Sequence, residues 1–293
     1  MRPFAWVLVF GLLGCATEAT EGTVTEPPAD SDGDGVSDAD EAELGLDPNS
    51  DDSDGDGLSD GDELAFGSDP LLADADADLL DDSLEFELGC DPNNPDTDGD
   101  DYLDGWEYNE GSDPADAGSV IYKGGWPYNP DKIDGPNNPS HAVGEKFPRW
   151  AFKDQFGDRV DMYDFSNQGK YIIIDTSAQW CPPCMDMADW LDGHNDSYES
   201  TFPGLRDKVN ADEVYWITIM GEANDGSNPT KKTATEWYDD FPHDKVPVLA
   251  DAGRELQSHI RLQYWPSLIL LDQKMRLVLD QDSFYDGVGR ELD

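Results

Sequence analysis

Positive charge is what this chain of 293 residues has least of: 18 Lys and Arg stand against 66 Asp and Glu, for a formal net charge of −48. Nucleic acid is thereby excluded as a partner, because phosphate contacts need a basic footprint. Cysteine is scarce too. The chain has four, and only Cys181 and Cys184 stand at short spacing. A four-cysteine zinc site is therefore excluded, and His194, His243 and His259 hold no ligand spacing to the pair. Long apolar runs are missing as well. Phe4–Leu13 is too short to span a bilayer, and no later segment is apolar enough to cross one.

What is present is uneven. Residues 30 to 114 carry 32 Asp and Glu and no Lys or Arg, whereas aromatic and β-branched residues gather in the second half. A like-charge run normally signals a solvated, unfolded tail, but this one keeps a register. "DSDGDGVSDADE" starts at Asp30, "DSDGDGLSDGDE" at Asp52, "DADADLLDDSLE" at Asp74 and "DTDGDDYLDGWE" at Asp96, each 22 residues after the last. Each is followed by a short segment with Gly and then Asp-Pro, as at Gly45 with Asp47-Pro48.

Twelve residues with oxygen donors at positions 1, 3, 5, 7, 9 and 12, and Gly at 6 for the turn, wrap a calcium ion. The first repeat offers Asp30, Asp32, Asp34, the Val36 carbonyl, Asp38 through water, and bidentate Glu41. The second offers Asp52, Asp54, Asp56, the Leu58 carbonyl, Asp60 and Glu63. The third supplies Asp74, Asp76, Asp78, Asp82 and Glu85, but Leu79 stands at the glycine position. A branched residue is strained at positive φ, so this loop is expected to be the weakest or distorted. The fourth supplies Asp96, Asp98, Asp100, Asp104 and Glu107, with Asp101 at the turn. About two turns of helix follow each loop, with too few apolar groups for a core, so metal must supply the order. The pattern resembles bacterial thrombospondin type 3 repeats over residues 30–114. Cys90 reads as an unpaired substitution for the Ser of "GSDP".

The first residues, "MRPFAWVLVFGLLGC", have the layout of an export signal, and Leu12-Leu13-Gly14-Cys15 resembles a bacterial lipobox. That resemblance implies a signal peptide over 1–14, a lipid-modified Cys15 that anchors the chain to a membrane without spanning it, and a flexible tether over 15–29. The expected location is the bacterial cell envelope, facing the periplasm or the cell surface.

Residues 115–140 have the Gly, Pro and Asn content of a linker, although Tyr122, Trp126 and Tyr128 suggest that it docks. From about His141 the pattern turns to α/β. "RWAFKD" and "RVDMYDF" read as a hairpin, "KYIIIDTSA" and "EVYWITIMG" as central strands, and "PPCMDMADWLDG" as a helix with proline in its first turn. "NPTKKTATEWYDDF" reads as a helix, "KVPVLAD" as a strand, "ELQSHIRLQY" as a helix, and "PSLILLD" with "MRLVLDQD" as a closing hairpin. Residues 141–293 are expected to fold as a unit without the repeats.

This order of elements, with "WCPPC" between a core strand and its helix, resembles the thioredoxin fold: an α/β domain with a central mixed sheet flanked by helices. "VGEKFPRWAFKDQFGDRVDMYDFSNQGKYIIID", "WCPPC" and "YWPSLILLD" are together similar to the TlpA-like family of membrane-anchored thioredoxin-like disulfide reductases. The resemblance implies that Cys181 is the nucleophile, exposed ahead of a helix N-terminus whose N–H groups favour negative charge. It implies that Cys184 resolves the mixed disulfide, that the two form a redox disulfide, and that Trp180 packs beside them. Asp175 stands where thioredoxins keep a buried acid; the Glu that TlpA-like proteins carry three residues after the second Cys is Met187 here. Pro266 matches the family's cis-proline, and Trp265 before it would narrow the substrate groove. A peroxiredoxin is disfavoured because Ala178 takes the place of its threonine.

The implied function is an extracytoplasmic thiol-disulfide oxidoreductase, a reductase by preference, carried on a calcium-binding stalk. Protein thiols or disulfides would be its substrates and a membrane protein its electron donor. Calcium is the one implied cofactor; no organic cofactor is needed, since the dithiol is the redox group. The competing reading is a calcium-dependent surface or adhesion protein whose thioredoxin-like domain only binds.

Overall fold

The computed structural model describes residues 28–132, 135–136 and 141–292. The export signal and Cys15 lie outside the described residues. The described residues divide into two compact units, one ending at Ala73 and the other beginning at Asp74. Among the described residues no helix is long and apolar enough to cross a membrane.

Each acidic repeat forms a loop and one short helix: α1 (Asp38–Leu44) and α2 (Asp60–Phe66) in the first unit, α3 (Asp82–Leu88) and α4 (Asp104–Glu110) in the second. The starts of α1 and α2 are set by side-chain caps. Ser37 and Ser59 accept from Asp40 N and Asp62 N, satisfying amides that would otherwise be orphaned. Each helix stops at a glycine in the left-handed region, such as Gly45 at φ 87°. Within a unit, successive repeats interlock through backbone. Asp34 Oδ2 accepts from Gly61 N at 3.0 Å, and Asp78 Oδ2 accepts from Gly105 N at 2.9 Å. A Cβ on Gly61 or Gly105 would strike the carbonyl oxygen of Asp34 or Asp78, so both repeats need glycine there.

The third loop is not distorted. Leu79 takes φ 82° and Asp101 of the fourth loop φ 78°, against 102° and 106° for Gly35 and Gly57. The Asp74 carboxylate still accepts from Ala77 N, Asp78 N and Leu79 N, and these bonds hold the leucine in a conformation it resists. Leu79 keeps 64% of its surface exposed, so nothing is gained by its side chain. Leu79→Gly should therefore raise the stability of this unit by about 1 kcal/mol, measured by urea unfolding; no change, or a loss, would refute the strain.

The second unit carries a seven-stranded sheet in the order β2-β1-β5-β4-β3-β6-β7. Its strands are β1 (Ala151–Asp154), β2 (Arg159–Asp161), β3 (Tyr171–Ala178), β4 (Val214–Glu222), β5 (Val248–Ala250), β6 (Ser267–Leu271) and β7 (Leu277–Leu279). β3, β4 and β5 run parallel, while β6 lies antiparallel on β3 and β7 on β6. The helices are α5 (Pro182–Leu191), α6 (Leu205–Asn210), α7 (Lys231–Asp240), α8 (Glu255–Ile260) and α9 (Phe284–Leu292). A βαβ pair followed by an antiparallel hairpin, with Cys-x-x-Cys at the first crossover, is the thioredoxin fold. α6 and α9 fall in segments that lack a sequence-level helix signal, α8 is shorter than its pattern, and "MYDF" closes as a 3-10 turn.

The central strands are apolar throughout because both faces are covered. Ile173, Trp216, Leu268 and Leu270 pack with α5, α6 and α9. On the opposite face, Ile172, Ile174, Ile217 and Ile219 share a core with Leu256 and Ile260 of α8 and with Tyr122, Trp126 and Tyr128. The 115–140 segment thus supplies core. Tyr122 OH donates to Asp164 Oδ2 at 2.6 Å and Trp126 Nε1 to Asp154 Oδ2 at 2.9 Å, both carboxylates being buried.

Candidate redox site and acidic loops

The Cys pair sits where the sequence places it in the fold but not at the exposure expected. Cys181 is the N-cap of α5, with Pro182 and Pro183 opening the helix. Proline fits there because the first helical amides have no partner within the helix. Cys181 O accepts from Cys184 N at 3.1 Å and from Met185 N at 3.2 Å, which turns both side chains to one side. Cys181 is expected to be exposed; instead it retains 3% of its surface and Cys184 none. The reason is packing: both sulfurs belong to an apolar cluster with Ala178, Met220, Ala234, Trp237, Val248 and Ala250, flanked by Met185 and Trp265. Both are free thiols, hydrogen-bonded to each other. Burial, then the nearby Asp175 charge, pushes the Cys184 thiol far up.

Asp175 is the buried acid. It lies on β3 with Thr218 beside it on β4 and Leu268 on β6. Ser177 Oγ donates to its two oxygens at 2.9 and 3.1 Å, and Thr218 Oγ1 to Oδ2 at 3.3 Å. Desolvation raises its pKa to about 7, against these hydroxyls, which favour the anion. An acid held near that value can take up or release a proton close to neutrality.

That shift fixes a pH dependence. The folded state holds the Asp175 proton up to about pH 7, whereas the unfolded chain releases it near the usual value of 3.8. The share of stability that depends on Asp175 must fall as pH rises between these values, by roughly 4 kcal/mol in all, and stay level above them. Asp175→Asn should remove this share of the slope, leaving the variant several kcal/mol more stable than the parent at pH 8 and little changed at pH 4. Denaturant unfolding at the two pH values measures it; equal gains at both would refute the assignment.

Around the thiols, Trp180 is 44% exposed and donates Nε1 to Glu222 Oε2 at 3.0 Å; Arg254 pairs with the other oxygen of Glu222 at 3.5 Å. The Trp265–Pro266 bond is cis. Pro266 directly precedes Ser267, which pairs with Thr176 near the end of β3 that leads to Cys181. The Trp265 indole lies on Gly221, where a Cβ would collide with it, and Gln257 Nε2 donates to Gly221 O. Ser177, Thr218, Glu222 and Gly221 carry no signal in the sequence, because strand register alone brings them here.

In the acidic loops the carboxylates of positions 1, 3 and 5 converge in all four repeats: Asp30, Asp32 and Asp34; Asp52, Asp54 and Asp56; Asp74, Asp76 and Asp78; Asp96, Asp98 and Asp100. In each set one oxygen per residue lies within 4.8 Å of the others. The position-9 carboxylates also brace the loop: Asp38 accepts from Ser31 N and Oγ, Asp60 from Ser53 N and Oγ, Asp82 from Ala75 N, and Asp104 from Thr97 N. Glu41, Glu63, Glu85 and Glu107 at position 12 are completely buried. Both oxygens of Glu41 and of Glu85 lack a hydrogen-bond partner among the described residues. Burial, then the charges of Asp76, Asp78 and neighbouring carboxylates, pushes Glu85 up to about 9. A buried, unpartnered carboxylate beside converging Asp oxygens fits a hard divalent cation.

Fold and site thus define a thioredoxin-fold domain bearing a Cys-Pro-Pro-Cys dithiol, preceded by acidic loop-helix repeats. Residues 30–50, 52–73 and 96–117 match the bacterial TSP3 repeat, leaving the third repeat outside the match. No curated protein matches the chain. Among solved structures it is similar to the thioredoxin domain of a thiol-disulfide oxidoreductase from Bacteroides vulgatus, at 18% identity and TM-score 0.37 over 52% of this chain and 99% of that one. It is also similar to a thiol:disulfide interchange protein from Bacteroides sp. (18% identity, TM-score 0.36, 52% of this chain and 90% of that one). The pneumococcal exposed lipoprotein thioredoxin of Streptococcus pneumoniae has 18% identity and TM-score 0.37, over 49% of this chain and 97% of that one.

Proposed function

We propose that this chain is a thiol-disulfide oxidoreductase that reduces protein disulfides with the Cys181–Cys184 dithiol and carries it on calcium-binding repeats. The observation that supports this best is the pair of thiols at the N-terminus of α5 with Asp175 buried behind them. The Cys181 sulfur, as thiolate, attacks one sulfur of the substrate disulfide; that S–S bond breaks and the first substrate thiolate leaves, taking a proton from water. Cys184 then attacks Cys181 in the mixed disulfide. Its proton passes to Asp175, the Cys181–Cys184 bond forms as the bond from Cys181 to the substrate breaks, and the second substrate thiolate leaves and takes a proton from water, so that the two electrons lost from the dithiol now reside in the substrate. An extended substrate would lie beside Trp265, which packs against the cluster that holds both cysteines.

A reductase of the envelope needs its dithiol restored, so a membrane protein is the proposed electron donor. Anchoring through a lipid on Cys15 belongs to the same reading. In the repeats, the Asp trios with Glu41, Glu63, Glu85 and Glu107 would hold calcium, which supplies charge neutralisation that a small apolar core cannot.

The test is turnover. The reduced chain, recycled by dithiothreitol, should accelerate reduction of insulin disulfides many-fold over reductant alone. A rate equal to background, with Cys181 inert to alkylation in the native chain, would favour the binding-only adhesion reading.

A further inference from the structure

We propose that the fourth acidic loop is a structural cation site of the thioredoxin-fold domain, so that calcium bound there stabilises the domain bearing the dithiol. This rests on the reading above that the loops take calcium. Position 7 of the loop is Val36, Leu58 and Leu80 in the first three repeats but Tyr102 in the fourth, and position 11 is Asp40, Asp62, Leu84 and then Trp106. Both aromatics point into the second unit's core. Tyr102 keeps 4% of its surface and its hydroxyl donates to Trp126 O at 2.7 Å; Trp106 packs on Tyr128 with ring centroids 5.5 Å apart. At the end of α4, Glu110 Oε1 accepts from Tyr128 OH at 2.6 Å.

The chain of contacts continues to the sheet. Trp126 and Tyr122 bond to the buried carboxylates of Asp154 and Asp164, and Lys132 Nζ meets Asp164 Oδ1 at 2.6 Å. Trp126, Tyr122 and Tyr128 share their core with Ile172, Ile174, Ile217 and Ile219 of β3 and β4. At the other end, the loop carboxylates set the position of Tyr102: Asp100 Oδ1 accepts from Tyr102 N at 2.9 Å, while Asp96 accepts from Gly99 N, Asp100 N and Asp101 N. Three carboxylates this close repel unless a cation neutralises them. Without one, the loop that holds Tyr102 loosens, and the aromatic cover of the sheet loosens with it. Binding to the folded state alone stabilises it by mass action.

The experiment is hydrogen-exchange mass spectrometry on the full reduced chain in EGTA and in calcium chloride at about a hundred times the dissociation constant, with terbium luminescence to report metal binding independently. Amides of β3 and β4 should exchange up to about 100-fold more slowly with calcium. Asp98→Asn, in the fourth loop, should lose most of that gain, and Asp32→Asn, in the first, should keep it. Tyr102→Phe, which keeps the ring and removes one hydrogen bond, should bind terbium at the fourth loop normally yet show a smaller gain. Terbium binding with unchanged β3 and β4 exchange would overturn the coupling and leave the calcium reading intact. Absence of terbium binding would remove both.

Discussion

Cys184→Ala in the reduced chain is expected to stop turnover and to accumulate a covalent mixed disulfide between Cys181 and a protein substrate. Cys181 attacks and Cys184 resolves, so without Cys184 nothing nearby displaces the substrate. Cys90 cannot substitute: it is buried in the third repeat and burial pushes its thiol up to about 12, which keeps it a thiol and not a nucleophile. Cys181→Ala should reduce turnover to the uncatalysed background and form no adduct. Non-reducing mass spectrometry after mixing with a disulfide peptide reads both outcomes. Equal adduct formation by the two variants would mean that the roles are not divided this way. Asp175→Asn belongs to the same series, and should slow resolution by about 10²-fold, because Cys184 then lacks a proton acceptor.

The second large effect concerns the 115–140 segment. A fragment beginning at His141 is expected to lose its native fold, whereas one beginning at Asp96 should keep it. Starting at His141 removes Tyr122, Trp126 and Tyr128, which share one core with the sheet's Ile172, Ile174, Ile217 and Ile219. It also leaves Asp164 and Asp154, both fully buried, without partners from that segment. Trp126→Ala alone should cost about 3–5 kcal/mol, a large part of a typical total of about 5–15 kcal/mol. Urea unfolding of the full-length variant measures this, and near-ultraviolet circular dichroism of the fragment measures packing. A fragment from His141 that unfolds as cooperatively as the full chain would show that the segment only decorates the surface.

What can be read in the sequence depends on the range of the signal. The acidic loops were legible because their donors are local: twelve residues contain the loop, and a 22-residue period repeats it. The Cys pair and its proline-led helix were legible for the same reason. The cover of Cys181 was not, since it comes from Met220, Val248 and Ala250 on other strands. Ser177 and Thr218 reach Asp175 through strand register, which no spacing records. α6 and α9 were missed because they are short or interrupted by Gly287 and Gly289, so their apolar contacts, and not their propensity, make them helical. Leu79 shows the opposite case: its identity argued for a distorted turn, and the hydrogen bonds of Asp74 overrode it.

The most direct test of the central claim is a redox titration of the full chain in dithiothreitol buffers, with each point quenched by alkylation and weighed by mass spectrometry. One reversible two-electron transition is expected, in which two labels, on Cys181 and Cys184, are lost together on oxidation while Cys90 stays unchanged. Persistence of both labels at every potential, or pairing of either sulfur with another cysteine, would contradict it.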